Sequence, residues 1–392
     1  MMKIPLIKSS FFEEKEMKDE LSLFIQSCEK LSMGDQCEAF ERAYAKYQGV
    51  AYAVLYNSGS SANLALIQAL LNTGRLVRGD KVGFSAITWA TSVMPLLQFG
   101  LVPVPIEVNI GTLNVDSPTV SKFLDENDDI KCLFITHVLG FCGDMINILE
   151  VCKSREVLLL EDTCESLGSE IGGKKLGSFG LASTFSTFVG HHLSTIEGGL
   201  VCTDDKALSD SLKMVRAHGW DRNLDVSEQS RLRKKYDVDS FYSLYSFYDL
   251  GFNLRPTELT GFLGQKQLRY ALTIVKSREN NFRAFKAAAD QNPDFIPLQL
   301  GHMDVVSNFA FPLVCYNAAK IGEYKHRFLS AGVEVRPVVG GNITRQPFFR
   351  KYMKGNWVLP NADQIHDCGI YLPNNPELTN EEITYMVNQF KK

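Results

Sequence analysis

Between residues 52 and 160, short apolar runs alternate with stretches of helical periodicity, and this pattern restricts the fold more than any other feature. The runs at 52–56, 82–84, 102–107, 132–137 and 157–160 read as strands. After the first run, Leu64, Leu66, Ile67, Leu70 and Leu71 share one helical face, and further helices are expected at 88–98, near 117–125 and at 145–154. Strands separated by helices pair in parallel, with both sheet faces covered, so the expected class is α/β with a mostly parallel sheet. Ligands in such sheets sit beyond the carboxyl ends of the strands. Asn57, Trp89, His137 and Asp162 each follow a strand end and are expected to gather at one rim.

From about residue 250 the pattern changes. A stretch from Gly251 to Pro256 opens a long helix expected over 257–290. Strands at 307–314 and 333–338 then alternate with helices at 319–330 and 379–391. A chain of 392 residues suits a large domain plus a smaller one, divided here as 1–250 and 251–392. The second is expected to be α+β. At the other end, residues 15–47 read as helix, interrupted at Ser32-Met33-Gly34.

Three stretches carry chemistry. Residues 57–63, Asn-Ser-Gly-Ser-Ser-Ala-Asn, join a strand to a helix, and free N–H groups and the helix dipole converge there on an anion. The same residues also make ordinary turns and N-caps. No Gly-Lys-Ser/Thr ends the loop, so it is not a nucleoside triphosphate loop. Asp162 closes a buried apolar strand, where a carboxylate either meets a partner or caps the next helix. Residues 183–199, Ser-Thr-Phe-Ser-Thr-Phe-Val-Gly-His-His-Leu-Ser-Thr-Ile-Glu-Gly-Gly, read as a strand, a sharp connection and a second strand. His191 and His192 sit on that connection, either as polar loop residues or as reactive imidazoles.

The bulk properties remove several alternatives. A net charge of −4 gives no basis for nucleic acid or an anionic membrane as partner. No apolar run reaches the roughly 18 residues that a membrane span needs. Residues 1–18 turn acidic at Glu13 and Glu14 before a secretory apolar core forms, so the cytoplasm is the expected compartment. Nine scattered cysteines without a Cys-x-x-Cys pair suggest buried thiols, with no metal site expected.

A phosphate cradle, an aromatic residue and a strand-end aspartate together point to pyridoxal 5′-phosphate (PLP). The aspartate keeps the pyridine nitrogen protonated, the aromatic covers the ring, and the loop holds the phosphate. On these residues, with Gly79-Asp80, Glu161-Asp-Thr-Cys164 and Gly251-Phe-Asn-Leu-Arg255, the chain resembles the sugar-modifying aminotransferases of the aspartate aminotransferase (type I PLP-dependent) fold. That family places its Schiff-base lysine five residues after a phosphate-binding serine and six before the Glu of Glu-Gly-Gly. Counting from Ser186 and Glu197, the position holds His191.

The replacement, with Arg216-Ala-His-Gly-Trp-Asp-Arg-Asn223 and Glu334-Val-Arg-Pro337, is similar to the lysine-less 3-dehydratase branch of the family. Other lysine-less members carry a cysteine cluster for an iron–sulfur centre, whereas residues 217–250 contain no cysteine. The resemblance implies a reaction with L-glutamate as amino donor, PLP and pyridoxamine 5′-phosphate (PMP) as cofactor forms, and a nucleotide-linked 4-keto-6-deoxy sugar such as GDP-4-keto-6-deoxymannose as substrate. The sugar loses its C3 hydroxyl, and His191 serves as the base. It further implies Gly59, Ser60 and Ser186 at the phosphate, Trp89 and Asp162 on the ring, and Glu165 where amino-transferring relatives often carry Gln. Asn253 would reach the phosphate across a homodimer interface, and His192, His218 and Arg336 would face the substrate. Two other outcomes stay open from sequence: a sugar C4 aminotransferase using His191, and a non-catalytic regulator.

Overall fold

The computed structural model describes residues 2–391. In chain order the strands of its first part are β1 (Tyr52–Tyr56), β2 (Lys81–Ser85), β3 (Val102–Ile106), β4 (Ile130–Thr136), β5 (Leu158–Asp162), the small hairpin β6 (Glu170–Ile171) and β7 (Lys174–Lys175), β8 (Ala182–Ser186) and β9 (Gly199–Thr203). Seven form one sheet in the order β1-β9-β8-β5-β4-β2-β3. Its pairings are parallel from β3 through β2, β4 and β5 to β8, while β9 runs antiparallel to both β8 and β1. A helix separates most of the parallel strands in sequence, whereas β8 turns back into β9 through the 187–198 loop without one.

Burial explains why these strands read as unbroken apolar runs. In β4, Leu133 and Ile135 enter one core cluster, while Cys132 and Phe134 enter another on the opposite face. A strand covered on both sides has no solvent face on which to show alternation. The first cluster continues into a second, antiparallel sheet ordered β10-β12-β11, with β10 (Ala310–Val314), β11 (Arg336–Pro337) and β12 (Gly369–Pro373). Phe311, Leu313 and Leu372 of that sheet share the cluster with Leu133 and Ile135, so the two sheets are joined by continuous packing.

Four elements depart from the sequence expectation, one of them the strand expected over 333–338, which is only Arg336–Pro337. The helix expected over 257–290 is two helices, Glu258–Leu268 and Ala271–Ala289. The first packs on helix Asp35–Gln48, whose N-terminal N–H groups donate to the Glu258 carboxylate. The second turns Phe282 and Phe285 into the core between the sheets. The helix expected over 88–98 shrinks to a turn at Ala90–Ser92 and the five-residue helix Met94–Gln98. Pro95 sits in the first turn of this helix, and in a longer helix its missing N–H and its ring would face the Thr91 carbonyl, so the helix cannot extend backward. The strand expected from 307 starts only at Ala310, because the carbonyls of Ser307 and Phe309 accept from His192 and Arg278 side chains instead of a neighbouring strand. Strand β12 and helices Pro347–Tyr352 and Pro360–Cys368 have no counterpart in the sequence reading.

Candidate active site

A cavity of about 300 Å³ opens at the carboxyl ends of β1, β4, β5 and β8. Gly59, Ser60, Trp89, Asp162, Glu165, Ser186, His191 and Arg336, all singled out from sequence, line it together.

One wall is the start of helix Gly59–Asn72. Ser58 caps this helix, its side chain accepting from Ser61 N–H at 3.0 Å. The first-turn N–H groups have no partner within the helix and point toward the cavity end. A Cβ at Gly59 would lie 2.7 Å from Ser186 Cβ, and one at Gly199 would lie 2.4 Å from the Ser58 carbonyl carbon. The glycines therefore let the loop close onto the β8–β9 hairpin and bring Ser186 beside the helix start. The cradle is suited to a phosphate.

Asp162, at the end of β5, is buried. Its Oδ2 accepts from Asn63 Nδ2 at 3.1 Å and Ser92 Oγ at 2.7 Å, and its Oδ1 accepts from Cys164 N–H at 3.1 Å. Ser92 is held in turn by Thr88 at 3.0 Å, and Thr88 by Thr136 at 2.6 Å. Every partner of this carboxylate is a neutral donor. A buried carboxylate whose direct partners are all neutral is suited to a charged N–H from a ligand, which a protonated pyridine supplies.

His191 sits on the loop joining β8 to β9. That loop is pinned by Thr187 N–H to the Gly198 carbonyl at 2.9 Å and by Thr187 and Thr195 hydroxyls at 2.6 Å. The His191 Nδ1 lies 2.5 Å from the Cys164 carbonyl, a partner that only accepts. Nδ1 therefore carries the proton, and Nε2 keeps its lone pair. Phe309 packs against the ring at 5.1 Å between centroids. Burial lowers the imidazole pKa below its ordinary value, against the opposing pull of the Cys164 carbonyl and the Asp162 charge. The ring is thus held in the neutral form a base requires. No lysine lines the cavity.

Glu165 accepts from Leu139 N–H at 2.8 Å. Burial pushes its carboxyl up to about 7, the Leu139 bond opposes, and the Asp162 charge adds to the rise.

Five sequence-derived candidates lie elsewhere. His192 does not face the cavity: it is 4% exposed, and its Nε2 is 3.0 Å from the Ser307 carbonyl. His137 is fully buried and its Nε2 lies 2.9 Å from Glu161 Oε2, on the opposite side of β5 from Asp162. Asn253 lines a second concavity with Trp220, Arg222 and Arg255. The His218 ring lies tilted against Trp220, 4.7 Å between centroids, and its backbone N–H donates to the Phe252 carbonyl. Asn57, expected at the same rim, is exposed and lies outside the cavity wall. In the other direction, Arg278, Phe309 and Tyr371 line the cavity and were not anticipated. For Arg278 a signal was present: it interrupts the apolar stripe of Ile274, Val275, Phe282 and Phe285.

With sheet and site defined, comparison with known proteins identifies the class. The model of the DegT/DnrJ/EryC1/StrS aminotransferase family matches residues 13–391, and the chain belongs to this family. Its fold is the type I PLP-dependent one. Among curated relatives, the GDP-4-keto-6-deoxy-D-mannose 3-dehydratase of Yersinia pseudotuberculosis is 33% identical over 400 residues, covering 100% of this chain and 99% of that protein. A crystal structure of GDP-4-keto-6-deoxymannose-3-dehydratase with a trapped PLP–glutamate geminal diamine is similar with a TM-score of 0.91 and 30% identity, covering 99% of this chain and 100% of that one. A histidine-to-asparagine mutant of that dehydratase with bound GDP-perosamine gives a TM-score of 0.90 at 30% identity, with the same coverage.

Proposed function

We propose that the chain removes the C3 hydroxyl from a nucleotide-linked 4-keto-6-deoxy sugar, GDP-4-keto-6-deoxymannose in the first instance, using PLP and PMP with L-glutamate as amino donor. The observation that carries this is the imidazole of His191 at the lysine position, tied through Nδ1 to the Cys164 carbonyl with Nε2 free. When bound, the cofactor supplies an amine for the C4 ketone and a ring that accepts electrons.

The chain's own groups do the rest. Gly59, Ser60 and Ser186 would hold the phosphate, and Trp89 and Glu165 would hold the ring. Asp162, fixed by Asn63, Ser92 and Cys164, keeps a proton on the pyridine nitrogen. His191 Nε2 would take a proton at cofactor C4′ and deliver one to the departing C3 hydroxyl, which leaves as water. A histidine cannot reclaim the cofactor as a lysine does, so water releases the sugar and the nitrogen leaves as ammonia. Arg336 faces the sugar nucleotide. In a homodimer, Asn253 of one subunit reaches the phosphate site of the other, and His218 lies near the substrate. Among the described residues no helix is long and apolar enough to cross a membrane, and we place the enzyme in the cytoplasm.

Nitrogen accounting tests this. With ¹⁵N-glutamate, the sugar product should lack one oxygen and carry no label, with 2-oxoglutarate and ammonia formed in equal amounts. A labelled amino sugar that keeps its C3 oxygen would instead mark a C4 aminotransferase.

A further inference from the structure

The cavity wall contains a positive charge that the proposed chemistry does not use. Arg278 sits on the core face of helix Ala271–Ala289 and is 4% exposed, yet it lines the cavity. Its Nη1 donates to the backbone carbonyls of Phe309 at 2.7 Å and Asn374 at 2.5 Å. Its Nε is buried without a partner, Nη2 makes no hydrogen bond, and no carboxylate of the described residues pairs with the guanidinium. Burial draws its pKa down to about 9, which leaves it charged at neutral pH. Carbonyl dipoles offset only part of the cost of burying a full charge. An arginine fork with idle donors, at a cavity, is built for an anion.

Position selects which anion. The phosphate cradle is a different part of the wall, where Gly59 meets Ser186. Arg278 stands behind His191, since it holds the Phe309 carbonyl while the Phe309 ring packs 5.1 Å from the imidazole. A donor that must place its nitrogen next to His191 brings its carboxylates to that wall. Arg336 is less available, because Glu334 already occupies its Nε at 3.0 Å and its Nη2 at 2.7 Å.

We propose that Arg278 is a carboxylate-binding residue that takes one carboxylate of the amino donor through its unused Nε and Nη2 donors. The proposal rests on the reading of the site as one that draws nitrogen from an amino acid.

Glutarate, a dicarboxylate without an amine, is the probe, titrated calorimetrically into the PMP-loaded protein, with GDP as control. Arg278→Gln should weaken glutarate about 10- to 100-fold, with GDP unchanged. Arg278→Lys keeps the charge but loses the fork, and should weaken glutarate about 3- to 10-fold. It decides the matter if the glutamine variant does not fold. Unchanged glutarate affinity in a folded variant overturns the assignment. So does an equal loss for glutarate and GDP, which marks Arg278 as a clamp for the 308–309 backbone. Either result leaves the parent reading intact if the wild type still takes nitrogen from glutamate. A wild type that takes none defeats that reading instead.

Discussion

Replacing Glu165 with glutamine removes a carboxyl whose proton is held by burial up to about 7, against an ordinary 4.5. A carboxyl raised in the folded chain stabilises the fold most when protonated. Its contribution is complete below the unfolded value and is lost as pH rises through the folded one. The gap corresponds to a ceiling of about 3 kcal/mol, and access of cavity water to Glu165 reduces the expectation to about 1–3 kcal/mol. Glutamine stays neutral throughout and still accepts from Leu139 N–H. Glu165→Gln should therefore match the wild type near about pH 4 and exceed its stability by that amount near about pH 8. For a chain of 392 residues this is an upward shift of about 1–4 °C in Tm. Calorimetry of cofactor-free protein across that range gives the difference directly. A difference that does not change with pH, or a wild type more stable than the variant near about pH 8, refutes the reasoning.

Borohydride treatment of the PLP-loaded wild type should leave no pyridoxyl group on the chain, while His191→Lys should acquire one; peptide mass spectrometry locates it. His191→Asn should bind cofactor as the wild type does but lose about 10²- to 10⁴-fold in C3 deoxygenation. In the wild type the acid limb of the rate–pH profile should fall below the roughly 6.5 of a free imidazole, because burial favours the neutral ring. Gly59→Ala places a methyl 2.7 Å from Ser186 Cβ and should weaken PLP at least about 10-fold by displacing the cradle. Equilibrium dialysis showing unaltered affinity would dismiss the phosphate assignment.

The large sheet was readable because β1 to β5 are covered on both faces and separated by helices, so pattern alone defines them. Asp162 was readable for the same reason, as the end of one such strand. Its neighbour Glu161 turns the other way. Alternation along β5 sends Glu161 to the other face, where it accepts from Gly177, Phe179 and Gly180 N–H groups and captures His137. A strand-end position thus placed His137 near the rim, but a charge partner turned it inward. His191 was found by applying the spacing of the family it resembles between Ser186 and Glu197, since the loop's own residues left its two histidines equivalent. His192, one residue later, could not be oriented the same way. Its partner is the Ser307 carbonyl, 115 residues away, and an irregular loop has no periodicity to reveal that. Arg278 stood in plain view on an apolar stripe, yet whether such a residue is clamped or faces a cavity depends on Phe309 and Asn374, which only the folded chain brings near.

The indole of Trp89 stays 55% exposed at the cavity lip. Of the chain's three tryptophans, Trp220 already lies under the Arg222 guanidinium at 4.0 Å, and Trp357 leans on Phe349. A planar aromatic ring settling over Trp89 would change the surroundings of that fluorophore, while Trp357 stays against Phe349. The protein therefore carries its own optical gauge of occupancy: emission quenched on loading, restored when the site empties, and readable without a label or a turnover.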